Sequence, residues 1–201
     1  MDENHVQPQN TEEKETPEKS FMLYVHDLIH MLAVIMIVFM LLFRMVIVSG
    51  SSMYSTLHDG DWILLLSSVF YQEPRYEDII VASKDSFNNG EAIIKRVIAT
   101  EGQTVDIDFE SGIVYVDGVA LEEDYTYTLT TIQEGITFPL TVDEGCVFVM
   151  GDNRNDSKDS RHPDIGLIDQ REILGKALFL MFPGTDGTGD HRDFDRIGAF
   201  N

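Results

Sequence analysis

From Leu28 to Phe43 the chain carries no charged side chain, and Met45 to Val48 continues the apolar run beyond Arg44. Read as one helix, Leu28 to Val48 is about 31 Å long at ~1.5 Å per residue, which matches a bilayer core. Arg44 stands one turn from the end, where its long side chain can snorkel to headgroups. The run therefore predicts a single transmembrane helix over 27–48. Ahead of it, 1–26 reads as a polar, disordered tail; behind it, 49–183 reads as a folded domain and 184–201 as a loose Gly- and Asp-rich tail. A cleavable leader is the rival, because Val48-Ser49-Gly50 offers small residues at an export cleavage spacing. The length of the apolar run and the long acidic tail before it weigh against that rival. Lys14, Lys19 and Arg44 do not decide the orientation by charge.

The segment after the helix is mainly β. Trp62–Leu66, Asp78–Ala82, Ala92–Ile98, Cys146–Met150 and Ala177–Phe182 are short apolar or β-branched runs between turn residues. Val105 to Phe109 alternates with period two, and turns at Ser111-Gly112 and Asp117-Gly118 bracket Ile113 to Val116, which predicts a β-meander. With 35 acidic against 14 basic residues, the net charge of −21 repels a phosphate backbone, so nucleic acid is not an expected partner. Cys146 is the only cysteine and fits a small core position, not a disulfide. Trp62, Phe70 and Tyr71 suit either a core or a lipid interface.

Three stretches hold residues that could do chemistry. Ser49 to Leu57, SGSSMYSTL, follows the apolar run without a linker, so its serines either close a helix or supply a nucleophile at a membrane surface. Lys95 and Arg96 stand inside an apolar strand-like run; side chains alternate between faces, so at least one of the two cations points inward. Burial penalises the charged form of a lysine, and a neutral amine can serve a serine as general base; a snorkelling strand lysine is the alternative. Gly151 to Arg161 gathers Asp152, Ser157, Asp159 and Arg161 in one loop, either as a solvated turn or as partners for the other two stretches. Gly-x-Ser-x-Gly and Ser-x-x-Lys signatures are absent. His26 and His30 share a helix face but lack a third ligand, and the Asp152–Asp159 loop does not have calcium-loop spacing, so no metal or cofactor is expected.

Taken in order behind an anchor, Ser52-Met53-Tyr54-Ser55-Thr56-Leu57, Lys95-Arg96-Val97-Ile98 and Gly151 to Arg161 resemble the signature boxes of bacterial type I signal peptidase. His162 to Ile168 resembles the Gram-positive form with one membrane anchor. The resemblance implies a signal-peptidase-like β domain with a β-meander insertion, anchored in the bacterial cell membrane with its tail cytoplasmic and its catalytic domain outside. It implies Ser52 as nucleophile and Lys95 as general base, with Ser157 hydrogen-bonded to the Lys95 amine. Asp152 would pair with Arg96, and Asp159 with Arg161. Val46, Val48, Met53, Leu57 and Ile94 match positions lining shallow pockets for small residues at −1 and −3 of a preprotein. The Ser52 N–H would be one oxyanion donor, while Gly50 stands where some members carry a second donor. Ser55 replaces the usual proline, and Ala99, Glu101 and Gln103 replace the usual Gly, Pro and Asp. The expected partners are signal-peptide-bearing preproteins and the lipid bilayer. The alternative function is that of an inactive or non-proteolytic membrane-tethered β domain.

Overall fold

The computed structural model describes residues 17–87, 90–185 and 191–200. The chain divides into two units at Met40/Leu41. The first is built on helix α1, Pro17–Leu42. Its stretch Phe21–Leu42 is the one candidate, among the described residues, for a helix long and apolar enough to cross a membrane. Proline at the first helical position has the right φ and lacks only an N–H that would be unpaired there anyway.

Both ends of this helix differ from the expected 27–48. It starts earlier, so residues 17–26 of the expected tail are helical, while 1–16 lie outside the described residues. It also stops six residues sooner than Val48. Phe21 to Leu42 already spans about 33 Å at ~1.5 Å per residue, and the next five residues have a strand to pair with. Phe43–Ile47 forms β1 and lies antiparallel to β2, Trp62–Ser67, with Phe43 opposite Leu66 and Ile47 opposite Trp62. Inward-facing Val46 and the buried Val48 join the core, so this apolar run is divided between helix and sheet.

The other strands are β3 (Ile79–Ser83), β4 (Ala92–Thr100), β5 (Thr104–Asp108), β6 (Ile113–Val116), β7 (Val119–Ala120), β8 (Leu140–Thr141), β9 (Cys146–Met150), β10 (Ile168–Asp169), β11 (Ile173–Phe182) and β12 (Gly198–Ala199). They form two antiparallel sheets. The larger runs β1-β2-β11-β3-β4-β9-β10, with β12 added to β11; the smaller runs β7-β6-β5-β8. The expected meander is the smaller sheet, inserted between β4 and β9. Its β6–β7 hairpin turns on Asp117 and Gly118, both at positive φ (52° and 78°), as a type I′ turn requires.

Three apolar clusters fill the domain. The one nearest the candidate site joins Val48, Met53, Leu57, Ile63, Leu65, Ile79, Val81, Ala177 and Leu180. Cys146 is partly buried at the edge of the meander cluster.

The expected loose tail over 184–201 needs a correction. Residues 186–190 and 201 lie outside the described residues, but 191–200 make defined contacts. Gly198 and Ala199 pair with Leu180 and Phe179, and the Phe200 N–H donates to the Leu178 carbonyl at 3.1 Å. Phe200 also packs on the cluster that holds Met53. A Gly- and Asp-rich composition conceals these contacts because one short strand and a few single side chains make them.

Candidate active site

Ser52 sits in the turn that follows β1. The Tyr54 N–H donates to the Ser51 carbonyl at 3.0 Å, and the Leu57 N–H donates to the Met53 carbonyl at 2.8 Å. This turn drives Met53 and Leu57 into the core and leaves Ser52 at the surface of a cleft. Lys95 comes from the middle of β4, where it faces Ile80 of β3. Its amine reaches the serine: Lys95 Nζ donates to Ser52 Oγ at 2.7 Å and to the Ile94 carbonyl at 3.1 Å.

Lys95 and Arg96 are both buried, each 4% exposed, and they leave the strand on opposite faces. Their environments differ. Arg96 meets Asp152 in a two-pronged pair, Nε to Oδ1 at 2.8 Å and Nη2 to Oδ2 at 2.7 Å, and its guanidinium also lies 4.1 Å from the centre of the Tyr125 ring. Among the described residues, no carboxylate lies within ion-pair distance of Lys95. Burial lowers its amine from 10.5 to about 8, against the opposing pull of Asp159, Asp152 and Glu134. A substantial share of the amine is therefore neutral in mildly alkaline solution.

The loop from Gly151 to Arg161 closes over both residues. Asp159 is fully buried and accepts from Arg161 Nε at 2.8 Å and from Arg161 Nη2 at 2.8 Å. It also accepts from the Gly151 N–H at 3.0 Å and from the Ser157 hydroxyl at 2.9 Å. Ser157 was expected to hold the lysine amine; its hydroxyl instead donates to Asp159, whose stronger charge attracts it. The Asn153 N–H donates to the Ser52 carbonyl at 3.0 Å, which ties this loop to the backbone of the serine. Gly151 is needed for close approach: a Cβ there would fall 2.2 Å from Ser157 Oγ and 2.4 Å from the Ser52 carbonyl oxygen. Gly50 adopts φ 91°, and its N–H donates to Asp59 Oδ1 at 2.8 Å.

The family described as signal peptidase, peptidase S26, matches residues 22–182. The chain belongs to the signal peptidase family, peptidase S26. It is accordingly a serine peptidase, a hydrolase of the signal peptidase I type. A probable signal peptidase I-1 of Synechocystis is 39% identical over 69% of this chain and 70% of its own length. A signal peptidase I of Bacillus licheniformis is 34% identical over 86% of this chain and 95% of its own. Signal peptidase I T of Bacillus subtilis is 36% identical over 71% and 75%.

The peptidase has a cleft of about 350 Å³ that runs past Ser52 and Lys95. Val46, Val48, Gly50, Met53 and Ile94 are among the residues that line it. Leu57 is not: it is fully buried in the core, because the turn bond from its N–H to Met53 points its side chain inward. Val81, Phe87 and Ile93 add apolar lining outside the expected set, and Asp156 and Lys158 are among the polar lining residues. Two further supports were also missed. The Thr56 hydroxyl donates to Asp152 Oδ2 at 2.5 Å, and Arg154 binds Glu123 and the Thr130 hydroxyl across the meander loop. A buried arginine in a signal-peptidase loop is a cue for a distant acid, but the sequence does not indicate which one.

Proposed function

We propose that this peptidase removes signal peptides from exported preproteins at a membrane surface, with Ser52 as nucleophile and Lys95 as general base. The observation that carries the reading is the 2.7 Å contact between Lys95 Nζ and Ser52 Oγ around a buried amine. When the amine is neutral, the direction of this hydrogen bond reverses and the hydroxyl donates to the nitrogen lone pair. Ser52 Oγ attacks the scissile carbonyl carbon and its proton passes to Lys95 Nζ. The resulting ammonium protonates the departing amine as the C–N bond breaks, leaving an acyl ester on Ser52. Water then repeats the sequence, and the carboxylate product leaves. Asp159 and Asp152 favour the ammonium during its brief existence, which keeps the proton transfer close to balanced. The Ser52 N–H is the first oxyanion donor.

The cleft walls support a preference for small side chains. Val46, Val48, Met53 and Ile94 give the cleft beside Ser52 and Lys95 an apolar lining. An extended signal-peptide end would present its −1 and −3 residues to that wall, since alternate residues of a strand face one way.

The membrane reading rests on Phe21–Leu42 and on one face of the larger sheet. Ile47, Trp62 and Phe182 lie side by side across β1, β2 and β11, and all three are exposed together with Met45. Such a row favours lipid contact over water. The substrate is itself an apolar helix, so the nucleophile belongs at bilayer depth, with the tail cytoplasmic and the β domain outside.

The test is cleavage of a purified preprotein in detergent. A substrate with Ala at −1 and −3 is cut directly after the −1 residue, whereas Phe at −1 lowers kcat/KM by at least about 10²-fold because it clashes with the shallow wall. Equal rates for the two substrates would overturn the pocket assignment, and no cleavage of either would overturn the function.

A further inference from the structure

The C-terminal segment reaches back to the turn that carries Ser52 through a single arginine. Arg196 Nη2 donates to Asp61 Oδ2 at 2.6 Å and to the Thr56 carbonyl at 3.1 Å, and Nη1 donates to Asp61 Oδ1 at 3.1 Å. Asp61 is fully buried and also accepts from the His58 N–H at 2.7 Å and the Gly184 N–H at 2.6 Å. Four charge-assisted bonds thus converge on one carboxylate, which makes this a stiff support.

Two further links connect that support to the cleft. The Val48 N–H donates to the Asp61 carbonyl at 2.8 Å, and the Gly60 N–H donates to the Val48 carbonyl at 2.9 Å, so the cleft wall at Val48 is built on the Gly60–Asp61 turn. Thr56 joins two ion pairs: its hydroxyl binds Asp152, the partner of Arg96, and its carbonyl binds Arg196, the partner of Asp61. The turn from Ser52 to Thr56 is therefore held from the Asp152 side and from the Arg196 side. Asn153 on the Ser52 carbonyl is the remaining backbone tie from the Gly151–Arg161 loop.

We propose that Arg196 is a positioning residue for the nucleophile. By fixing Asp61 and the Thr56 carbonyl, it sets the turn that holds Ser52 Oγ against the Lys95 amine, and the C-terminal segment is thereby part of the working enzyme. The proposal rests on the Ser52–Lys95 reading above. It assigns Arg196 no contact with substrate, so its loss falls on kcat more than on KM, which it reaches through the Val48 wall alone.

The experiment compares kcat, KM and melting temperature for the full chain in detergent, as wild type, Arg196→Ala, Arg196→Lys and Phe194→Ala. Phe194 packs its ring on Phe182 at 5.6 Å in the same segment and serves as the packing control. Arg196→Ala is expected to lower kcat about 30-fold, within the range that a misplacement near 1 Å produces, with KM within about twofold. Arg196→Lys keeps one charged donor and should recover between about a third and about two thirds of the lost activity on a logarithmic scale. Phe194→Ala should lower the melting temperature while leaving kcat within about twofold. If Arg196→Ala does not fold, Arg196→Lys decides alone: kcat lowered about threefold or more at unchanged KM supports the proposal, and wild-type kcat overturns it. A wild-type kcat in Arg196→Ala would overturn it, as would equal kcat losses in Arg196→Ala and Phe194→Ala at matched melting temperatures. An inactive wild type would instead reject the underlying Ser52–Lys95 reading.

Discussion

Ser52→Ala and Lys95→Met each reduce kcat/KM for preprotein cleavage by at least about 10⁴-fold, with folding retained. The two losses are of similar size, because in the proposed mechanism nucleophile and base act as one unit across the 2.7 Å contact. Ser52→Ala removes the attacking oxygen. Lys95→Met keeps the oxygen but removes the only side chain that donates a hydrogen bond to it among the described residues, leaving bulk water to take the proton. The double variant should therefore be scarcely worse than either single one. Additive losses, or a Lys95→Met enzyme within about tenfold of wild type, would contradict the assignment.

The second large effect concerns stability, and two buried cations move it in opposite directions. Arg161→Ala removes the guanidinium partner of a fully buried carboxylate and leaves Asp159 charged among the Gly151 and residue-161 N–H groups and the Ser157 hydroxyl. Breaking one side of such a pair costs about 3–5 kcal/mol. Lys95→Met should do the reverse. Its amine falls from 10.5 to about 8 because burial opposes charge, and that displacement corresponds to roughly 3 kcal/mol, at about 1.4 kcal/mol per tenfold change. The penalty is present in full below about pH 8, where folded and unfolded chains both carry the charge. Between about 8 and 10.5 the unfolded chain binds more protons, so wild-type stability rises with pH and the advantage of Lys95→Met fades. Chemical denaturation at pH 7 and pH 10 measures this: Arg161→Ala is less stable than wild type at both, and Lys95→Met is more stable at pH 7 only. A Lys95→Met chain less stable than wild type at pH 7 would mean that the lysine is held by partners, not strained by burial.

The residues that meet at the candidate site were more legible than the links that brace them. Ser52, Lys95, Asp152, Asp159 and Arg161 each lie in a short stretch whose residue types and order are unusual together, and the structure brings these stretches to one place. The strands were legible wherever a β-branched run ended in a turn residue, as Ile113 to Val116 does before Asp117-Gly118. The helix end was not. An uninterrupted apolar run has no period that separates a helix from a buried strand, and only the pairing of Phe43–Ile47 with β2 divides it. Ser157 was assigned a hydrogen bond to the amine, yet it donates to Asp159, which lies two residues away and carries a charge. Leu57 matches a pocket-lining position only through the family resemblance, and its turn buries it in the core. The Asp61–Arg196 pair spans most of the domain, so nothing local to either residue announces it.

The most direct measurement is the pH dependence of kcat/KM for preprotein cleavage between about pH 5.5 and 10. With Lys95 as base, the rate climbs about tenfold per pH unit on the acid side and levels off above about pH 8, where the buried amine has lost its proton. An acid limb ending near about 6.5, or a rate that keeps climbing past about pH 10, would assign the proton acceptor to a histidine or to a solvated lysine and contradict the central claim.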